Sequence, residues 1–196
     1  MVKKALPDDA EDFSNLIMLS APALFQVLYG DKSKIVIQQL FIQPYNLFSF
    51  EHVFFAEKEG NKAGMYIGWD WNSKKQEGLR TGLLLVKLMG TDFIKRLPLF
   101  IRVEDVIGQV YKEEYYISNI AVYPKYRRIG VGTYLLEKAE EEAKRRGTKK
   151  VILDVEIENS GALRLYNKLG YVISEESSVK LHKRLFRFYR MCKKLR

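Results

Sequence analysis

The sequence predicts an α/β (α+β) fold, and three stretches carry that reading. Tyr116-Ile117-Ser118-Asn119-Ile120-Ala121-Val122 is β-rich and ends before Pro124, which has no N–H to give a ladder. Beyond Gly132 the apolar spacing turns helical, through Leu135, Leu136, Ala139 and Ala143. Residues 151–157 then alternate, with Val151, Leu153, Val155 and Ile157 on one face and Ile152, Asp154 and Glu156 on the other.

The remaining elements follow in chain order. Residues 2–6 suit a first edge strand. Asp8, Asp9, Glu11 and Asp12 favour a helix N-terminus, where negative charge meets the positive end of the dipole. Phe13, Leu16, Ile17 and Leu19 give that helix its apolar side. Pro22 starts a second turn or helix that ends at Gly30-Asp31, and a further helix spans 34–41, stopped before Pro44. Tyr45, Phe48 and Phe50 read first as core and second as the lining of a cleft. Residues 52–57 and 63–70 form a hairpin around the turn at 58–62. About 40 residues then intervene, too apolar to stay a loose loop. Leu79, Leu83, Leu84, Val86, Leu88 and Met89 predict one helix; Phe93, Ile94 and Leu97 predict a second before Pro98; 102–110 suits a third short segment. The helix over about 131–146 carries Glu140–Lys144, Glu141–Arg145 and Glu142–Arg146 at i,i+4, read as a solvated face, and Gly147 closes it. Residues 171–173 and 184–195 complete the chain as two strands of a hairpin.

The strand hands over to the helix at Arg127-Arg128-Ile129-Gly130-Val131-Gly132-Thr133. Free N–H groups and the positive helix end converge there, which suits an anion. Gly130 and Gly132 permit close approach to the backbone, and Arg127 and Arg128 add charge for phosphate oxygens. The turn is neither GxxxxGK[ST] nor GxGxxG. On these residues alone, a turn built for stability reads as well as an anion site.

The residues downstream decide between the two. Asn159 suits an N-cap and Gly170 a helix stop. Ala162 and Tyr166 share one helix face. The pattern [Q/R]-x-x-G-x-[G/A], matched by Arg127 to Gly132, resembles the acyl-coenzyme A pyrophosphate loop of the GCN5-related N-acetyltransferases (GNAT). Asn159-x-x-Ala162-x-x-x-Tyr166-x-x-x-Gly170-Tyr171 resembles the second half of the same signature. The likeness covers residues 113–195, is strongest toward ribosomal-protein-type N-terminal acetyltransferases, and extends to the first 112 residues only in outline.

The resemblance implies one acyl-CoA N-acyltransferase domain over 1–196 with a helical insertion at about 72–112. It implies a mixed, mostly antiparallel central sheet with helices on both faces and a splayed pair of cofactor strands. Acetyl-CoA is the expected donor. Its pyrophosphate would rest on Arg127, Arg128, Ile129, Gly130, Val131, Gly132 and Thr133. Its pantetheine arm would pair with the backbone of Ile120, Ala121 and Val122, a form of strand addition. An N–H at Ile120 or Ala121 would then steady the oxyanion. Asn159 would hydrogen-bond the arm and Ala162 would leave it room.

An amine acceptor, peptide or small molecule, would attack the thioester directly in a ternary complex. Freeing the lone pair of a lysine-like amine of pKa about 10.4 at pH 7 costs roughly 4–5 kcal/mol, whereas a thiol of pKa about 8.5 needs about 2 kcal/mol of help to leave. A base therefore matters more than an acid. Asp154 is the expected base, directly or through water, with Glu114 in reserve; holding the strand is an equal reading of Asp154. Tyr166 is the expected acid, beside the cofactor. The inserted helices are expected to cover the acceptor side or to form a homodimer interface.

Composition bounds the alternatives. The 196 residues, 47% hydrophobic and 29% charged, suit one domain with a real core. No run is long and apolar enough to span a membrane, and the N-terminal residues lack the apolar core of a signal peptide. The single Cys192 fits a reducing, cytoplasmic setting, and with His52 and His182 far apart no metal site is expected. The net charge of +9 gathers at Lys144-Arg145-Arg146, Lys149-Lys150 and 180–196. A solvated basic surface is the preferred reading over a nucleic-acid face, since no nucleic-acid motif accompanies it. Two other function classes remain beside the acyltransferase: an acyl-CoA-binding sensor without catalysis, and a basic nucleic-acid-binding module.

Overall fold

The computed structural model describes residues 1–195; Arg196, the last of the basic C-terminal cluster, lies outside the described residues. Among these residues seven strands form one sheet: β1 (Val2–Lys4), β2 (Val53–Lys58), β3 (Asn61–Asp70), β4 (Glu114–Val122), β5 (Lys150–Glu156), β6 (Val172–Leu181) and β7 (Arg184–Lys194). Their order is β1-β2-β3-β4-β5-β7-β6. Only β4 and β5 pair in parallel. The helix between them explains this, because a parallel pair needs a crossover while hairpin neighbours do not. The sheet is thus mixed and mostly antiparallel, as expected.

Seven helices cover it: α1 (Ala10–Ser20), α2 (Pro22–Tyr29), α3 (Ser33–Phe41), α4 (Trp71–Met89), α5 (Thr91–Glu104), α6 (Val131–Arg145) and α7 (Ser160–Lys168). Two apolar layers hold them. Phe13, Leu16 and Ile17 of α1 and Val36, Ile37 and Leu40 of α3 pack with Phe55, Met65, Tyr116 and Ile152 on one face. Leu135, Leu136, Ala139 and Ala143 of α6 and Tyr166 of α7 pack with Tyr115, Ile117, Val151, Leu153 and Val155 on the other.

The alternation along β4 changes parity at Ser118. Gly68 faces Ile117 and Ile67 faces Asn119, so Ser118 is an extra residue. Tyr115 and Ile117 precede this bulge and Ile120 and Val122 follow it, yet all four meet the α6 layer. One extra residue reverses the period-two assignment, and a bulge also bends its strand.

Several local expectations change. The penultimate strand is longer than residues 171–173: β6 continues to Leu181 against β7. No break occurs at Pro98, which lies inside α5. Phe93 and Val103, buried on either side of it, hold the helix across the lost hydrogen bond by tertiary packing. Residues 102–104 belong to that helix rather than to a third segment. Glu142 is not on a solvated face. It is buried and accepts from Arg145 and Arg146, and Arg146 joins it to Asp70 of β3. Glu140 and Glu141 pair instead with Lys193 and Lys138. Phe48 and Phe50 pack against the first core layer, whereas Tyr45 is exposed. No single helix among the described residues is long and apolar enough to cross a membrane.

Candidate active site

The parallel ladder between β4 and β5 stops at Ile117 and Leu153. Past that point the strands carry on without pairing to each other, and the Ser118 bulge falls at the same place. Two clefts occupy the gap. One, of about 550 Å³, lies toward α6; the other, of about 370 Å³, opens on the side of α1 and α2. Leu19, Ser20, Ile120, Asn159 and Tyr166 line both, so the clefts meet at the end of the splay.

The first cleft gathers Ile120, Ala121, Val122, Arg127, Arg128, Gly130, Gly132, Thr133, Asn159, Ala162 and Tyr166. Ile129 and Val131, expected in the same loop, do not line it; Ile129 is exposed and Val131 packs against the α6 core. Gly130 begins α6 with φ at +89°, and no side chain among the described residues caps the helix. The N–H groups of its first turn are therefore available to a ligand. A Cβ on Gly130 would meet nothing within 4 Å, so conformation rather than packing requires glycine there. Gly132 answers a different need: its Cβ would stand 3.0 Å from Leu165 Cδ2, where α6 and α7 approach. Arg128 is also left-handed, at φ +63°. Arg127 Nε donates to the Val122 carbonyl at 3.1 Å, tying the loop to the strand end. Arg164 of α7 adds a third cation to the wall.

α7 starts differently. The Asn159 Oδ1 accepts from the Ala162 N–H at 3.1 Å, so this helix carries its own cap. That bond fixes Asn159 where both clefts meet.

The second cleft has the opposite sign. Asp154, Glu156 and Glu158 line it with Tyr116, Ser118, Asn119, Pro22 and Phe188, and no lysine or arginine does among the described residues. Ser118 Oγ donates to Asn119 Oδ1 at 2.9 Å, and Asn119 Nδ2 donates to Ser20 Oγ at 2.8 Å, linking the bulge to the end of α1.

Asp154 is not the open carboxylate that a base requires. Arg190 Nε donates to its Oδ1 at 3.0 Å, and the Gly108 N–H donates to its Oδ2 at 2.9 Å. Arg190 also donates to the Gln109 carbonyl at 2.6 Å. The Asp154 side chain is 2% exposed. Its geometry is that of a tie between β5, β7 and the loop after α5. Glu114, the reserve base, lines neither cleft. It sits at the paired end of β4, accepting from Lys150 Nζ and from the Tyr111 N–H, both at 2.9 Å.

Tyr166 is nearly buried and stacks at a tilt 5.9 Å from Tyr171. Burial pushes its phenol well above the usual range, so it stays protonated through neutral pH. Glu156 is half-buried, and burial raises its carboxyl too, helped by Glu158 and opposed by Arg184. Leu19 and Ser20 of α1, Ser118, Asn119 and Ile107 carried no signal in the sequence; they reach the site only through packing. Arg164 and Leu165 stood inside the Asn159–Tyr166 pattern and could have been taken from it.

Among the described residues no group of three or more His, Cys, Asp and Glu side chains could hold a metal ion. The sequence profile of the acetyltransferase (GNAT) family matches residues 15–171. N-alpha-acetyltransferase 30 of Xenopus laevis is 43% identical over 74 residues, which are 38% of this chain and 24% of that protein. The [ribosomal protein bS18]-alanine N-acetyltransferase of Escherichia coli K12 is 42% identical over 65 residues, 33% of this chain and 44% of that protein. The matched stretch thus spans less than half of either relative. Among solved structures, an N-acetyltransferase from Staphylococcus aureus Mu50 superposes with a TM-score of 0.73 at 23% identity, over 98% of this chain and 100% of that one. A Bacillus subtilis acetyltransferase solved with CoA superposes at 0.57 and 15% identity, over 100% of this chain and 97% of that one.

Proposed function

The chain belongs to the GNAT acetyltransferase family, and on that premise we propose that it transfers an acetyl group from acetyl-CoA to a primary amine by direct attack. The observation that carries this reading is the pair of clefts of opposite charge that meet at Tyr166 and Asn159.

The basic cleft suits the donor. Uncapped N–H groups of α6 and the Arg127 and Arg128 guanidinium groups would hold the diphosphate. The edge of β4 at Ile120, Ala121 and Val122 that β5 leaves open, β3 pairing the other edge, would take the amide arm as an added strand, and one of its N–H groups would stabilise the oxyanion. The acidic cleft suits a cationic amine. The amine nitrogen attacks the thioester carbon, a C–N bond forms, and the C–S bond breaks. Tyr166, at the junction and held protonated by burial, gives its proton to the leaving sulfur and recovers one from the tetrahedral nitrogen. The lone Cys192 has no part in this route, and a reducing compartment such as the cytoplasm suits it.

The test is thiol release from acetyl-CoA against peptides with free α-amines, lysine peptides, polyamines and small amines. Turnover with at least one amine supports the reading. Acetyl-CoA binding with no thiol release across the panel would favour a sensor.

A further inference from the structure

We infer that Glu156, rather than Asp154, takes the proton from the acceptor amine; the inference rests on the acetyltransferase reading above. Three carboxylates line the acidic cleft: Asp154, Glu156 and Glu158. Two of them are already engaged. Asp154 is held by Arg190 and the Gly108 N–H. Glu158 accepts from Arg187 Nη2 at 2.8 Å and is largely exposed, 59% by side chain. Among the described residues no ion pair or side-chain hydrogen bond holds Glu156.

Its position follows from the strand. Residues 152, 154 and 156 share one face of β5, and Ile152 shows which face: it packs in the α1 layer, away from α6. Glu156 ends β5 beyond the last β4 partner, Leu153, so it borders the splay on that side, while Phe188 of β7 pairs with it on the other. Tyr166 and Asn159 line the same cleft. Two charged groups bear on it, Arg184 of β7 and Glu158, itself paired with Arg187 of β7; Asp154, on the same face of β5, is paired with Arg190 of β7. The elements opposite, α1, α2 and β4, supply Leu19, Ser20, Pro22, Ser118 and Asn119 and no charge. Burial lifts the Glu156 carboxyl above the ordinary range, toward the pKa of the group it must deprotonate, which is the direction that improves a base.

The protons balance. An ammonium acceptor brings three. One goes to Glu156 and on to solvent, one reaches the coenzyme sulfur by way of Tyr166, and one stays on the amide product.

The experiment compares wild type, E156Q and E156D by thiol release from pH 4 to pH 10, using the best amine of the panel. Acetyl-CoA affinity is measured by calorimetry on the same proteins. Wild-type turnover should show an acid limb set by Glu156. E156Q should lose about 100-fold or more in kcat, the usual reach of general-base catalysis, and its rate should climb with the amine's own ionisation instead. E156D should keep the limb at reduced turnover. Acetyl-CoA affinity should stay within about twofold, since a lost base leaves the donor site intact. An E156Q enzyme that keeps both its kcat and its acid limb overturns the assignment. Wild type silent with every amine overturns the acetyltransferase reading, and the assignment with it.

Discussion

Replacing Tyr166 by Phe removes one oxygen at the junction of the two clefts. No hydrogen bond from that oxygen to another described residue is present, and the ring contact with Tyr171 survives the change, so the fold should tolerate it. The chemical effect can be sized. A coenzyme thiol of pKa about 8.5 that must leave as thiolate at pH 7 lacks about 1.5 pKa units of driving force, or about 2 kcal/mol. Without the proton from Tyr166 that cost falls on the transition state, which is about 30-fold in kcat. The ground state loses nothing comparable, so KM for acetyl-CoA should hold within about twofold. The burial-raised phenol stays protonated, so the deficit should follow the thiol alone and shrink to about 3-fold at pH 8. Thiol-release kinetics give kcat and KM, and calorimetry gives the acetyl-CoA affinity. Unchanged kcat would refute the acid role. A fall in acetyl-CoA affinity as large as the fall in kcat would show instead that Tyr166 only packs beside the donor.

Four further outcomes follow from the geometry. Gly130→Ala forces a Cβ onto φ +89° and should cost about 1–2 kcal/mol in chemical denaturation, with weaker acetyl-CoA binding by calorimetry. Gly64→Ala places a Cβ 2.6 Å from the Ala121 carbonyl oxygen and 3.1 Å from Val122 Cα, a collision with backbone; the urea midpoint should fall by the equivalent of at least about 2 kcal/mol. Asp154→Asn leaves the Arg190 guanidinium without its buried partner and should destabilise the fold by about 3–5 kcal/mol, read as a lower melting temperature; a stable Asn variant with a displaced pH profile would restore Asp154 as the base. Burial alone would raise Asp70 and Glu142, but the Ser73 N–H and Arg146 at Asp70, and Arg145 and Arg146 at Glu142, hold both carboxyls below their usual range. Their contribution is therefore present above the ordinary carboxylate pKa of about 4 and lost as pH falls through the depressed values. Urea midpoints from pH 7 down to pH 3 should drop more steeply in wild type than in Arg146→Met.

Much of the basic cleft proposed for the donor was legible because its parts are local. Arg127, Gly130 and Gly132 stand at fixed offsets where a strand becomes a helix, and Asn159, Ala162 and Tyr166 at fixed offsets on one short helix. The acidic cleft proposed for the acceptor was not legible, because Leu19 and Ser20, Asn119, Ile107 and Glu156 come from distant parts of the chain. Asp154 shows the difference. Its alternation on β5 placed it correctly on the face away from α6, yet Arg190 lies 36 residues later and Gly108 46 residues earlier. Spacing along one strand cannot show that both of its oxygens are already taken.

The sequence by itself determined the strand–turn–helix order, the helical character of the inserted stretch and the place of the glycine turn before α6, since hydrophobic period, proline, glycine and capping residues act within a few positions of themselves. Only the tertiary structure decided the parity change at Ser118, the helix carried through Pro98, the burial of Glu142 beside Arg146 and Asp70, and which carboxylate in the acidic cleft stands unpaired. Those outcomes depend on which surfaces and charges meet across the fold, and burial then sets what each charge can do.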